Sequence, residues 1–130
     1  MRYESYEAIK NIAIRYYKDD NMCTVIALAA ATGIAYGKAF NVYKRLGRRT
    51  GKGTYKTVQE VALSQLGYRL ELVPYHGCKT IGKAASMLPK TGAFWVYIRG
   101  HVACINNGKM FDWSENRKHR VQAIYRVVKQ

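Results

Sequence analysis

Cys23, His101 and Asp112 have the side-chain types that nucleophilic catalysis needs. A thiolate attacks a carbonyl, an imidazole takes and returns the proton, and a carboxylate orients the ring and stabilises its charged form. Cys23 opens the run CTVIALAAAT, and Gly33 follows it. A helix starting there turns its unpaired backbone amides and positive dipole end toward the sulfur. Such surroundings lower a thiol pKa from about 8.5 to as little as ~3.5. Cys104 falls on the apolar side of its strand by parity. Cys78 lies in a loop segment with no helix start beside it.

The segment HVACINNGKMFDW sets the histidine beside the aspartate. Asn107-Gly108 suits a two-residue type I′ turn between antiparallel strands. With those residues at the turn, Asn106 faces Lys109, Ile105 faces Met110, Ala103 faces Asp112 and His101 faces Ser114. His101 and Asp112 are then diagonal neighbours on one face, roughly 7–8 Å apart at the backbone and within reach of long side chains. Val102, Cys104, Phe111 and Trp113 take the other face, which reads as core. The face with the imidazole and the carboxylate is expected to be open. His76 and His119 have no such partner and read as surface residues.

These side chains need elements to hold them. Tyr6, Ile9, Ala13 and Tyr16 recur at helical spacing within residues 4–17. Asp19, Asp20 and Asn21, all good N-cap types, break that pattern ahead of the Cys23 helix. The Cys23 helix is apolar nearly all round, as a central buried helix is. Tyr36, Ala39, Tyr43 and Leu46 stripe a third helix ended by Gly47. Thr57 and Glu60 have the spacing of a capping box for a fourth, which runs to Leu66. Strands are expected over residues 68–75, 93–99, 101–105, 109–113 and 121–128, with a short helix over 80–88. Helices first and an antiparallel sheet second make an α+β fold.

Length and composition agree with this. A chain of 130 residues fits one domain. A hydrophobic fraction of 48% excludes a disordered chain. Three widely spaced cysteines form neither a disulfide framework nor a zinc pattern, so no metal and no cofactor is expected. No apolar stretch reaches the roughly 18 residues needed to cross a bilayer, and the N-terminus lacks the apolar run of a signal peptide. A reducing cytoplasm is the expected compartment. The net charge is +14, which favours polyanionic partners. Arg45, Arg48, Arg49, Lys52 and Lys56 cluster around a glycine-containing loop, with Tyr55 placed to stack on a base. That loop lacks the G-x-x-x-x-G-K-[ST] spacing of a phosphate loop. Arg117, Lys118 and Arg120 form a second basic cluster.

The chain order Cys, His, Asp, with the cysteine on an early helix and its partners on a later sheet, resembles papain-like cysteine peptidases. DDNMCTVIALAAATGIAYGKAF and GHVACINNGKMFDW resemble small papain-fold proteins encoded by bacteriophages. They resemble more distantly the leader-peptide peptidases of bacteriocin exporters. The resemblance covers residues 19–113. It implies a papain-like fold, Cys23 as nucleophile, His101 as base, Asp112 as orienter, and a peptide or protein substrate. It also implies the host cytoplasm as the compartment of a phage-encoded chain. Two positions depart from the family pattern. Tyr17 stands where many relatives carry an oxyanion-binding glutamine, and Thr24 replaces the glycine that often follows the cysteine. Asn21 is the nearby amide that can take the glutamine's place. Loss of an oxyanion donor typically costs ~100- to 1,000-fold in rate. Two readings follow: a thiol hydrolase with a Cys-His-Asp triad, or a weakly active or inactive binding protein. The second engages nucleic acid or an acidic host protein through its basic surface.

Overall fold

In the computed structural model, which describes residues 3–74, 79–114 and 117–130, four helices precede a five-stranded antiparallel sheet. Helix α1 (Tyr6–Tyr17) is capped by Ser5, whose hydroxyl accepts from the Ala8 amide at 3.2 Å. Ile9 and Ala13 of α1 are fully buried, but Tyr16 is 70% exposed. Its expected place in the stripe goes to Tyr17, one residue on. That ring packs between Tyr36 and Phe40, with centroids 5.0 and 4.9 Å away.

Helix α2 (Cys23–Thr32) runs over the expected residues and ends at Gly33, whose φ of 75° is the left-handed value that glycine adopts without strain. Residues 24–30 are all buried. None of Asp19, Asp20 and Asn21 caps it. The cap position is Met22, with no side-chain hydrogen bond, because Asp19 is drawn away into an ion pair described below. Helix α3 is Tyr36–Arg45, and α4 is Lys56–Gln65. The capping box expected for α4 does not form. The Gln59 amide donates to the Tyr55 carbonyl at 3.1 Å, so the helix begins ahead of Thr57 and leaves that residue inside its first turn.

The sheet takes the order β1-β5-β2-β3-β4. Its strands are β1 (Tyr68–Val73), β2 (Ala93–Ile98), β3 (His101–Asn106), β4 (Lys109–Phe111) and β5 (Val121–Lys129). Helix α5 (Ile81–Met87) lies between β1 and β2 in sequence. The β3–β4 register pairs Asn106 with Lys109 and Ile105 with Met110, as the turn chemistry predicts. Asn107 and Gly108 both have positive φ, 52° and 79°, as a type I′ turn requires. β4 stops at Phe111, so pairing ends one residue short of Asp112.

Both faces of this hairpin are covered. Trp95, Tyr97, Val102, Cys104 and Phe111 pack against α1–α4. Ala103, Ile105 and Met110, on the face expected to be open, pack with Ile81, Ala84 and Leu88 around α5. The centre of the sheet, β2 and the interior of β3, is therefore a buried middle layer, and every residue of β2 is buried. Among the described residues, no helix is long and apolar enough to cross a membrane.

Candidate active site

Cys23, His101 and Asp112 meet where α2 leans on the end of β3. Cys23 is the first residue of α2, and the Ile26 amide to the Met22 carbonyl, at 2.8 Å, is the first bond of that helix. The amides of Cys23, Thr24 and Val25 therefore have no acceptor within the helix. They put partial positive charge beside a half-buried, unbridged thiol.

His101 opens β3 just after Arg99 and Gly100, and Asp112 follows the last residue of β4. Standing at strand ends, neither is bound by the alternation that fixes the strand interiors. The His101 Nε2 lies 2.7 Å from both Asp112 oxygens. Cys23 stands beside the ring: the two residues line the same two clefts, and Cys23 is among the groups that raise the His101 pKa. With Nε2 held by the carboxylate, Nδ1 is the nitrogen left for the thiol. The Asp112 carboxylate is buried, not on an open face as expected, with 2% of its side chain exposed. Ser114, fully buried, donates both its backbone amide (3.0 Å) and its hydroxyl to Asp112 Oδ2.

Burial by itself lowers the His101 pKa. The hydrogen bond to Asp112 and the nearness of Asp112 and Cys23 outweigh it and raise the pKa to about 9. His101 is thus an imidazolium at neutral pH. Cys104 is fully buried, and burial pushes its thiol up, with the Asp112 charge adding to the effect. Cys78 and His76 lie outside the described residues.

Two clefts meet at Cys23 and His101. The first, about 260 Å³, is walled by Gly53, Thr54, Tyr55, Lys56, Gln59 and Tyr97. The second, about 300 Å³, is walled by Tyr6, Lys10 and Ile14 of α1 and by Trp113. Asn21 borders both clefts. Its backbone is fixed from two sides: its amide donates to Asp19 Oδ1 at 3.3 Å, and its carbonyl accepts from Arg48 at 2.8 Å. That holds an amide side chain next to the nucleophile and the open end of α2.

Trp113 is expected in the core but is 44% exposed, because the chain has left the sheet by that point. Its ring lies 4.9 Å from the His101 ring. His119 is exposed, as expected, but packs edge-on against Trp113 at 5.3 Å. Arg48 leaves the expected basic surface cluster altogether. It is buried, its Nη2 lies 2.8 Å from Asp19 Oδ2, and its Nε donates to the Lys52 carbonyl at 2.8 Å. Arg45, Arg49, Lys52 and Lys56 remain exposed. Among the described residues no cluster of His, Cys, Asp or Glu is arranged to hold a metal.

Spacing alone does not single out Gln59, Tyr6 or Trp113. Gln59 had a signal: it sits three and four residues before the buried Ala62 and Leu63, a polar residue on an apolar stripe. Its Oε1 accepts from Tyr97 Oη at 2.9 Å and Trp95 Nε1 at 3.3 Å. Tyr6 loses solvent beside Asp112, which pushes its hydroxyl to about 12 and keeps it neutral. No protein-family model, curated protein or solved structure matches this chain.

Proposed function

We propose that this protein is a thiol-dependent hydrolase of the cysteine peptidase type, cutting a peptide or amide bond through Cys23, His101 and Asp112. The observation that carries this is one imidazole bonded to a buried carboxylate and lining the same clefts as a thiol at a helix N-terminus. The thiolate attacks the carbonyl, while the Asn21 amide and the Cys23 backbone N–H receive the oxyanion. The imidazolium gives its proton to the leaving amine. The neutral ring then takes a proton from water, which releases the acyl group. A papain-like arrangement and a bacteriophage origin belong to the same proposal, supported by the chain order of the three residues and the resemblance of their flanking motifs. So does a reducing cytoplasm, where a free nucleophilic thiol survives.

The test is competitive alkylation. At pH 6 an ordinary thiol of pKa about 8.5 is less than ~1% ionised. Limited iodoacetamide labelling, read by peptide mass spectrometry, is expected to modify Cys23 well before Cys104 and Cys78. His101→Ala is expected to slow Cys23 alone and move its reactivity toward alkaline pH. Equal labelling of the three cysteines, or a Cys23 rate indifferent to His101, would overturn the assignment.

A further inference from the structure

Among the described residues that line the first cleft, Lys56 is the only lysine or arginine, and none is an aspartate or glutamate. The second cleft differs, because Lys10 there is accompanied by Asp20. Lys56 is the first residue of α4, where a cation opposes the helix dipole, and α4 has no acidic residue in its first turn to offset it. Among the described residues Lys56 makes no ion pair. Its Nζ instead lies 4.5 Å from the centre of the Tyr97 ring. That ring is fixed in turn by its hydroxyl bond to Gln59. The ammonium is thus positioned over the cleft by a cation–π contact, with Glu60, one turn along α4, close enough to act on the same Tyr97 but not in an ion pair with Lys56.

We propose that this cleft takes a segment bearing a carboxylate, and that Lys56 is the residue that selects it, so that the substrate is an acidic stretch of peptide or protein. This rests on the hydrolase reading above. A carboxylate entering beside Cys23 supplies the anion that the start of α4 lacks. It is drawn in by a chain of net charge +14 and meets no Asp or Glu among the described residues of the wall. Gln59, bonded to both rings behind Lys56, makes that wall rigid, so the ammonium is preorganised.

Iodoacetate and iodoacetamide test this on the intact protein. Each delivers the same carbon to Cys23: the Sγ–C bond forms, the C–I bond breaks and iodide leaves. The reagents carry a carboxylate and an amide respectively, and comparing the ratio of their rates between variants cancels their intrinsic difference in reactivity. Lys56→Gln is expected to lower the ratio of the iodoacetate to the iodoacetamide rate at Cys23 by about 3- to 10-fold at low salt. Lys56→Arg is expected to keep the ratio, and added salt to narrow the gap. An acetylated tri-glutamyl amide is expected to shield Cys23 from iodoacetamide, the tri-glutaminyl amide is not, and Lys56→Gln is expected to remove the shielding. An unchanged ratio in Lys56→Gln, or equal shielding by both peptides, overturns acidic selection while leaving a reactive Cys23 in place. Shielding by a single-stranded oligonucleotide but not by the glutamyl peptide overturns it in favour of a nucleic-acid ligand. If iodoacetamide labels Cys23 no faster than Cys104, the hydrolase reading falls and takes this proposal with it.

Discussion

One nitrogen of His101 is held at 2.7 Å by both oxygens of Asp112, and that geometry has a thermodynamic consequence. The imidazole holds its proton to about pH 9, against about 6.5 in the unfolded chain. Between those values the folded state binds more protons than the unfolded one, so stability falls as pH rises. The contribution is complete below about pH 6.5 and gone above about 9, and on the order of 1–3 kcal/mol. Urea denaturation across pH 6–10 is expected to show this decline, and Asp112→Asn to flatten it. Asp112→Asn keeps the shape but removes the charge that stabilises the imidazolium. It is expected to leave the chain folded and to cut Cys23 alkylation at pH 6 by at least ~10-fold, with circular dichroism and labelling as the measurements. Unchanged labelling would exclude Asp112 as the orienter. The pairing itself was legible in the sequence, because Asn107-Gly108 dictates its turn and the turn dictates the register. The burial of Asp112 and the exposure of Trp113 were not. Alternation predicts facing only while a strand continues, and β4 ends at Phe111.

At the scale of elements, Asp19 joins three parts of the chain. It pairs with Arg48 at 2.8 Å and accepts from the Gly51 amide at 3.0 Å and the Tyr36 hydroxyl at 3.3 Å. The junction between α1 and α2 is thereby tied to the loop after α3, which forms one wall of the first cleft. Arg48→Ala leaves the Asp19 charge buried without its partner, and such losses cost about 3–5 kcal/mol. A fall of that size in unfolding free energy is expected from urea denaturation, with Arg48→Lys in between because its ammonium lacks the forked geometry. A surface role for Arg48 predicts a change below about 1 kcal/mol instead. Element positions were well marked in the sequence: Gly33 ends α2, and the stripe of Tyr36, Ala39 and Tyr43 is the buried face of α3. Residues with two local uses were misjudged. Asp19 could cap a helix or pair with a distant arginine, and only the tertiary fold brings Arg48 to it.

At the scale of the molecule, burying Arg48 together with Asp19 removes one charge of each sign and leaves the net +14 unchanged, with Arg45, Arg49 and Lys52 all exposed. Any affinity for RNA or DNA is expected to come from such residues and to fall steeply with salt, because phosphate contacts release counterions. Titration of labelled RNA and DNA at 50 and about 200 mM salt is expected to show the drop, with Cys23→Ala without effect on it. No binding at low salt removes the nucleic-acid reading. The sheet order β1-β5-β2-β3-β4 bears on something else, the order of events in folding. β5, the last of the five strands in the chain, lies between β1 and β2 and pairs with both. A ribosome-bound chain can form α1–α4 and the β2–β3–β4 meander early, since their contacts are local. The sheet cannot close until residues 121–129 have left the exit tunnel. Its middle seam is made of long-range contacts, which slows folding. The open edges of β1 and β2 are therefore exposed longest during synthesis, and in that interval they can pair with other chains.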